Sequence, residues 1–228
     1  MWTLALACAF FLFIHLLISG TTMKEQIIGR IGGVAYYILF SLLSIGGLIW
    51  MGIAFAMALG DPMNVVLWKS GTFLRVIGLL GNFLAFLLVV VGLTTPSPTN
   101  LLALRQLPDK TVYGIVRVSR HPVLAGIGIW AVTHLITNGN LAAWIFFGSM
   151  LALTALGANN IDRKRLALMG DVYASIKRRT SIVPFVAIIE GRTAFAPEEL
   201  GVARMLLAVS MFSAIAALHE LLFTARAI

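Results

Sequence analysis

YGIVRVSRHPVLAGIGIWAVTHLITNGN, residues Tyr113 to Asn140, is the stretch on which the reading of this chain turns. A basic cluster, Arg117, Arg120 and His121, stands at the mouth of an apolar run that begins at Pro122, a favoured first residue of a helix. The run reaches about Ile136 and stops at Asn138-Gly139-Asn140, a tight turn with no charge. Inside it His134 is the only titratable side chain. An ionisable group within a long apolar helix is costly, so His134 is a candidate functional residue.

The rest of the chain explains why that run reads as a membrane span. Of 228 residues, 60% are hydrophobic and 11% charged, where a soluble domain carries about 25% charged residues. Apolar runs of membrane length recur. They predict an all-α, polytopic bundle in one membrane domain over residues 1–228. Its spans run from about Trp2 to Ser19, Ile31 to Leu59, Gly71 to Leu93, Pro122 to Ile136, Leu141 to Gly157 and Val202 to Phe223. The first is read as a retained span, since no Lys or Arg precedes Lys24 and no small-residue cleavage site follows it. Between spans, Leu101 to Arg120 and the segment around Val172, Tyr173 and Ile176 have the pattern of interfacial helices. Ile182 to Ile189 is apolar but too short to cross.

Of the 17 Lys and Arg, all but Lys69, Arg75 and Arg226 fall in the first, third and fifth loops or their flanks. The positive-inside rule puts these loops in the cytoplasm and both termini outside, as for a protein of a bacterial inner membrane. The net charge of +8 is thus explained by membrane topology and contact with anionic lipid, not by nucleic acid. A single cysteine, Cys8, rules out an internal disulfide and a thiolate zinc cluster. Spans two to five hold no carboxylate, which argues against a proton-coupled transporter.

His15, His134 and His219 all lie in apolar segments. Neutral imidazole ligates iron, copper and zinc, and two histidines from separate helices can hold a haem. The alternative is a neutral histidine bonded to a neighbouring helix. Depth constrains the pairing: His134 lies roughly 18 Å beyond Pro122, His15 about 6 Å from Ser19, and His219 roughly 25 Å beyond Val202. In simple depth His134 matches His219 better than His15, while pairing with His15 needs the first helix to extend into Gly20 to Met23 or the fourth to begin below the interface, and both pairings stay open. On one helix, Arg117 shares a face with Arg120 and His121, which suits an anionic group or a positive-inside anchor.

Several of these residues carry a family resemblance. Arg120-His121-Pro122, then Trp130-Ala131-Val132-Thr133-His134-Leu135 and Asn138-Gly139, resemble the NnrU family. So do FLFIHLLIS around His15, Ile161-Asp162-Arg163 with Gly170, and Thr180 to Phe185 leading to Gly191-Arg192. The resemblance spans about residues 4–192, with the C-terminal span at about 202–223 as an addition. It implies a polytopic protein linked to denitrification, that is, nitrite and nitric oxide metabolism. The plant relatives are 15-cis-zeta-carotene isomerases. Their likeness implies haem b, with His15 and His134 at its ligand positions, and cis-trans isomerisation of a lipophilic polyene such as zeta-carotene.

A more distant resemblance is to isoprenylcysteine and phospholipid methyltransferases, which bind S-adenosylmethionine. Arg120, His121, Pro122 and Gly126 match their motif, but Leu124 stands where they have tyrosine, and Asp162 fills their acidic position at best. Three expectations follow: a haem-binding NnrU-type protein or isomerase, a methyltransferase-like enzyme, and a non-enzymatic assembly factor for a respiratory reductase. The expected partners are membrane lipid with either a lipophilic small molecule or reductase components.

Overall fold

The computed structural model describes residues 1–97, 99 and 112–223. Its elements are helical, and only an isolated bridge between Val66 and Asn140 is strand-like among the described residues. Six apolar helices take the places of the expected spans: α1 (Trp2–Leu12), α3 (Gly33–Leu59), α4 (Thr72–Thr94), α6 (Pro122–Thr137), α7 (Leu141–Met169) and α10 (Val202–Phe223). Length and composition alone qualify four helices as spans: α3, α4, α7 and α10. A fifth is made if α1 and the bent helix after it, α2 (Met23–Ile31), count as one. At 16 residues α6 is the short one. The short helices are α5 (Ile115–Val118), α8 (Asp171–Arg179) and α9 (Val186–Ile189).

Helix contacts run in the order α3, α1, α7, α6, α4, α10, so α6 is enclosed by α4 and α7 while α10 packs on α4. The α4–α6 seam is close because small residues line it. A Cβ on Gly126 would lie 2.7 Å from the Ala85 carbonyl oxygen. At one end of the bundle the loop after α3 folds over the α6–α7 turn. The Leu67 amide donates to the Gly139 carbonyl and Trp68 Nε1 donates to that of Ile136. Gly139 has no alternative here, since a Cβ would collide with the Trp68 carbonyl oxygen.

Three boundaries differ from the sequence reading, each for a local reason. The loop expected over Gly20 to Arg30 is largely α2, which leaves the first helix at 82°. Its apolar and charged residues give it the amphipathic pattern of an interfacial helix. The fifth span runs to Met169 rather than Gly157, because the basic run Arg163-Lys164-Arg165 is made of good helix formers. Gly170, at φ +52°, ends it. Arg117 does not share a helix with Arg120 and His121: α5 closes at Val118 and Ser119 is extended. Of the interfacial helix expected over Leu101 to Arg120, residues 101–111 lie outside the described residues, Arg105 and Lys110 among them. The helix expected near Tyr173 is α8, with Tyr173 and Ile176 on its buried face.

Candidate functional site

Two groups of polar residues sit at different depths. The inner one is centred on Asp162, which α7 carries beyond its apolar part. Arg120 Nη2 donates to Asp162 Oδ2 at 2.7 Å, and its Nε reaches both oxygens at 3.0 and 3.1 Å. His121 Nε2 donates to Oδ1 at 2.7 Å, and Tyr173 Oη donates to the same oxygen at 2.7 Å. Arg120 Nη1 donates to the Thr180 carbonyl. All four side chains are buried. Burial pushes the Tyr173 hydroxyl well above the ordinary tyrosine pKa, and its bond to the Asp162 carboxylate adds to the rise. The cluster ties the α5–α6 junction, α7 and α8 into one unit.

Arg117 belongs elsewhere. Its Nε and Nη2 form a two-pronged pair with Glu199, at 2.6 and 2.9 Å, and Glu199 also accepts from the Gly114 amide. The bonds to Glu199 hold the Arg117 pKa above its usual value. Thus the three basic residues expected to act together are divided between two carboxylates.

The histidines present a different picture. His134 Nδ1 is 2.8 Å from the Trp130 carbonyl, four residues back on α6. A carbonyl only accepts, so Nδ1 carries the proton and the Nε2 lone pair is left open. The ring stacks on Phe147 of α7, with centroids 4.5 Å apart, and packs on Trp130. His15 repeats the arrangement: its Nδ1 donates to the Phe11 carbonyl at 2.9 Å, and its ring packs on Phe11 and Phe40. It lies in a π-helical turn, Phe13–Ile18, where the Ser19 amide bonds back five residues to Ile14. Such turns accumulate at functional sites.

Orienting Nδ1 on a carbonyl is how a protein prepares an imidazole for a metal. His134 is level with Phe147 of α7, while His15 lies between Cys8, beside Ser149, and Gly20, beside Asn160, so the two rings pack at different levels of that helix. No group of three His, Cys, Asp or Glu side chains forms a metal cage among the described residues.

One ring away from His134, Trp130 lines a cavity of about 340 Å³ between α4, α6 and α10. Ala85, Val89 and Leu93 contribute from α4, Gly126 from α6, and Leu207 and Met211 from α10. Its one hydroxyl, on Thr94, already donates to the Val90 carbonyl. Sequence reasoning did not find this groove, because its walls are ordinary apolar residues from three separated segments. It also undervalued Asp162 and Tyr173, which sit among two basic runs that read as surface anchors.

An all-α bundle of apolar helices with an apolar groove between α4, α6 and α10 defines an integral membrane protein. A family model described as NnrU protein matches residues 3–227, and the chain belongs to that family. It is 34% identical over 117 residues to the chloroplastic 15-cis-zeta-carotene isomerase of Arabidopsis thaliana, covering 50% of this chain and 30% of that protein. It is 36% identical over 101 residues to the chloroplastic 15-cis-zeta-carotene isomerase of Zea mays, covering 42% and 28%. The match thus spans less than a third of each relative's length. No solved structure matches.

Proposed function

We propose that this chain is a membrane isomerase of lipophilic polyenes, acting on a carotenoid such as zeta-carotene within the bilayer. The groove between α4, α6 and α10 carries this reading, since it offers a hydrocarbon chain apolar walls and no free hydrogen-bonding group. Ala85 to Thr94 gives the groove a length of roughly 13 Å along α4. A longer polyene would lie there in part, with its remainder in lipid. Trp130 would orient the polyene against the His134 side of the bundle. Haem b, which the family resemblance implies, would be held at His134 Nε2, with His219 as the second ring. When bound, it supplies a one-electron redox centre beside the polyene. His134 Nδ1–H on the Trp130 carbonyl keeps the ligating nitrogen unprotonated. We place the protein in a bacterial inner membrane, with Arg163, Lys164 and Arg165 on the cytoplasmic side.

The test has two parts. Protein expressed with ample haem is purified in detergent and its oxidised and reduced spectra are recorded. It is then incubated with cis-zeta-carotene under reducing conditions, and the isomers are separated by chromatography. The expected result is a Soret band and isomer conversion, both lost in His134→Ala and His219→Ala, with the band retained in His15→Ala. Conversion absent from a haem-loaded protein would overturn the isomerase reading in favour of nitrite and nitric oxide metabolism or of assembly of a respiratory reductase. Loss of the band in His15→Ala but not His219→Ala would restore the pair that the resemblance implies.

A further inference from the structure

The inner polar cluster does not balance its charge. Asp162 accepts from Arg120, His121 and Tyr173, so its two oxygens are fully used. One turn further along α7 stands Arg165, 6% exposed, whose Nη2 is buried with no hydrogen-bond partner among the described residues. Three residues after Asp162 on the same helix, it shares the buried face of α7 with that carboxylate. Two buried guanidinium groups therefore share one carboxylate. Of the other described carboxylates, Asp61 pairs with the N-terminus, Glu25 with Lys164, Glu190 with Arg192 and Glu199 with Arg117, and Glu198 is exposed. Asp171, the nearest in sequence, is exposed. A buried cation without an anion costs several kcal/mol even after relaxation, and a guanidinium nitrogen without a partner is a strong donor to a tetrahedral oxyanion.

Depth narrows the anion. A hydrocarbon core of about 30 Å takes roughly 20 helical residues, which from Leu141 ends near Ile161. Arg165 lies about 6 Å further in, at the level of lipid headgroups. The neighbouring surface is basic, with Lys177, Arg178 and Arg179 in the last turn of α8. Those side chains provide a field that collects anions, whereas Arg165 provides a fixed, desolvated donor.

We infer that Arg165 anchors a phosphate-binding site at the inner end of the bundle, occupied by the phosphate of an anionic phospholipid and completing the charge of the Arg120–Asp162–Tyr173 cluster. The site is independent of the groove and of any haem, and does not depend on the isomerase reading. It would couple the lock between α6, α7 and α8 to the lipid around it, so that the bundle is firmest in an anionic membrane.

Delipidated protein in a neutral detergent is melted thermally while short-chain phosphatidylglycerol or inorganic phosphate is added, with wild type compared against Arg165→Met, Arg165→Lys and a triple Lys177→Gln, Arg178→Gln, Arg179→Gln variant. Wild type is expected to gain a saturable Tm rise of about 3 °C with the lipid. Arg165→Met should melt no lower than wild type before lipid is added, because an uncompensated charge is gone, and should show no saturable rise. Arg165→Lys should keep a weaker rise, and the triple variant should keep the saturable rise at higher lipid concentration. An equal rise with inorganic phosphate would support the oxyanion site while assigning it to a free phosphate. If Arg165→Met is stabilised as much as wild type, or melts well below it without lipid, Arg165 is a packing residue and the inference is wrong. Loss of the rise in the triple variant alone would assign the effect to surface charge and overturn it equally.

Discussion

The inner cluster around Asp162 and the region around His134 use polar residues in opposite ways. Arg120 and His121 belong to the most conspicuous motif in the chain, yet Arg120 and His121 both bond to Asp162 and are sealed inside the protein. His134 is a lone polar group among aromatic rings, and it keeps an open nitrogen one ring away from an apolar groove. Arg120 spends Nε, Nη1 and Nη2 on partners within the chain and so ties α7 and the segment after α8 together. A residue whose chain bond fixes one atom and leaves another open can act on something else. Arg120 and Asp162 therefore act as frame, and His134 stands apart from them as a candidate for chemistry.

The sharpest way to break this contrast is to remove the hub of the frame. Asp162→Asn leaves Arg120 buried without its anion and should destabilise the protein by ~3–5 kcal/mol, read as a large fall in thermal midpoint. His134→Ala is the mirror experiment. Isomer conversion should disappear while the melting temperature falls far less than in Asp162→Asn. If the two variants exchanged these effects, the division between frame and site would be wrong.

A steric probe comes next. Gly126→Ala forces a methyl against the Ala85 carbonyl and Val89, so the α4–α6 seam must open. The expected cost is about 1–3 kcal/mol, with a lower affinity for polyene measured by quenching of Trp fluorescence. Tyr173→Phe removes one of the donors to Asp162 and should cost ~1–2 kcal/mol at neutral pH. The pH dependence carries its own sign. Because the folded-state pKa of Tyr173 lies above the ordinary value of ~10, its contribution is complete below pH ~10. It is lost as pH rises toward the folded value, so wild type should weaken above pH ~10 more steeply than Tyr173→Phe. The smallest effect belongs to Glu199→Gln. It loosens a partly exposed pair with Arg117, costing about 1 kcal/mol at most, and less at high salt.

Much of the architecture was legible because the bilayer imposes a simple rule on composition. Apolar runs separated by basic loops located all six apolar helices, and the turn at Asn138-Gly139-Asn140 fell between α6 and α7 as read. Boundaries failed where a polar segment was still a good helix. Arg163-Lys164-Arg165 looked like a loop because it is charged, yet a charged run past the membrane surface has every reason to stay helical. Of the site, His15 and His134 were legible as polar residues in apolar runs. Their partners were not, because helical spacing says which residues share a face but not which faces meet. The face shared by Arg117, Arg120 and His121 disappeared for the same reason: α5 stops after four residues, and each arginine follows its own carboxylate.

By itself the sequence determined that this is a helical membrane protein, roughly where its helices lie, and which histidines sit within them. Those properties follow from transfer of each segment into hydrocarbon, which is a sum over nearby residues. Only the tertiary structure decided that Asp162 collects Arg120, His121 and Tyr173, that Arg165 is left over, and that three helices enclose a groove. Those properties depend on pairings between residues tens of positions apart. Packing and charge compensation select such pairings, and no local pattern encodes them.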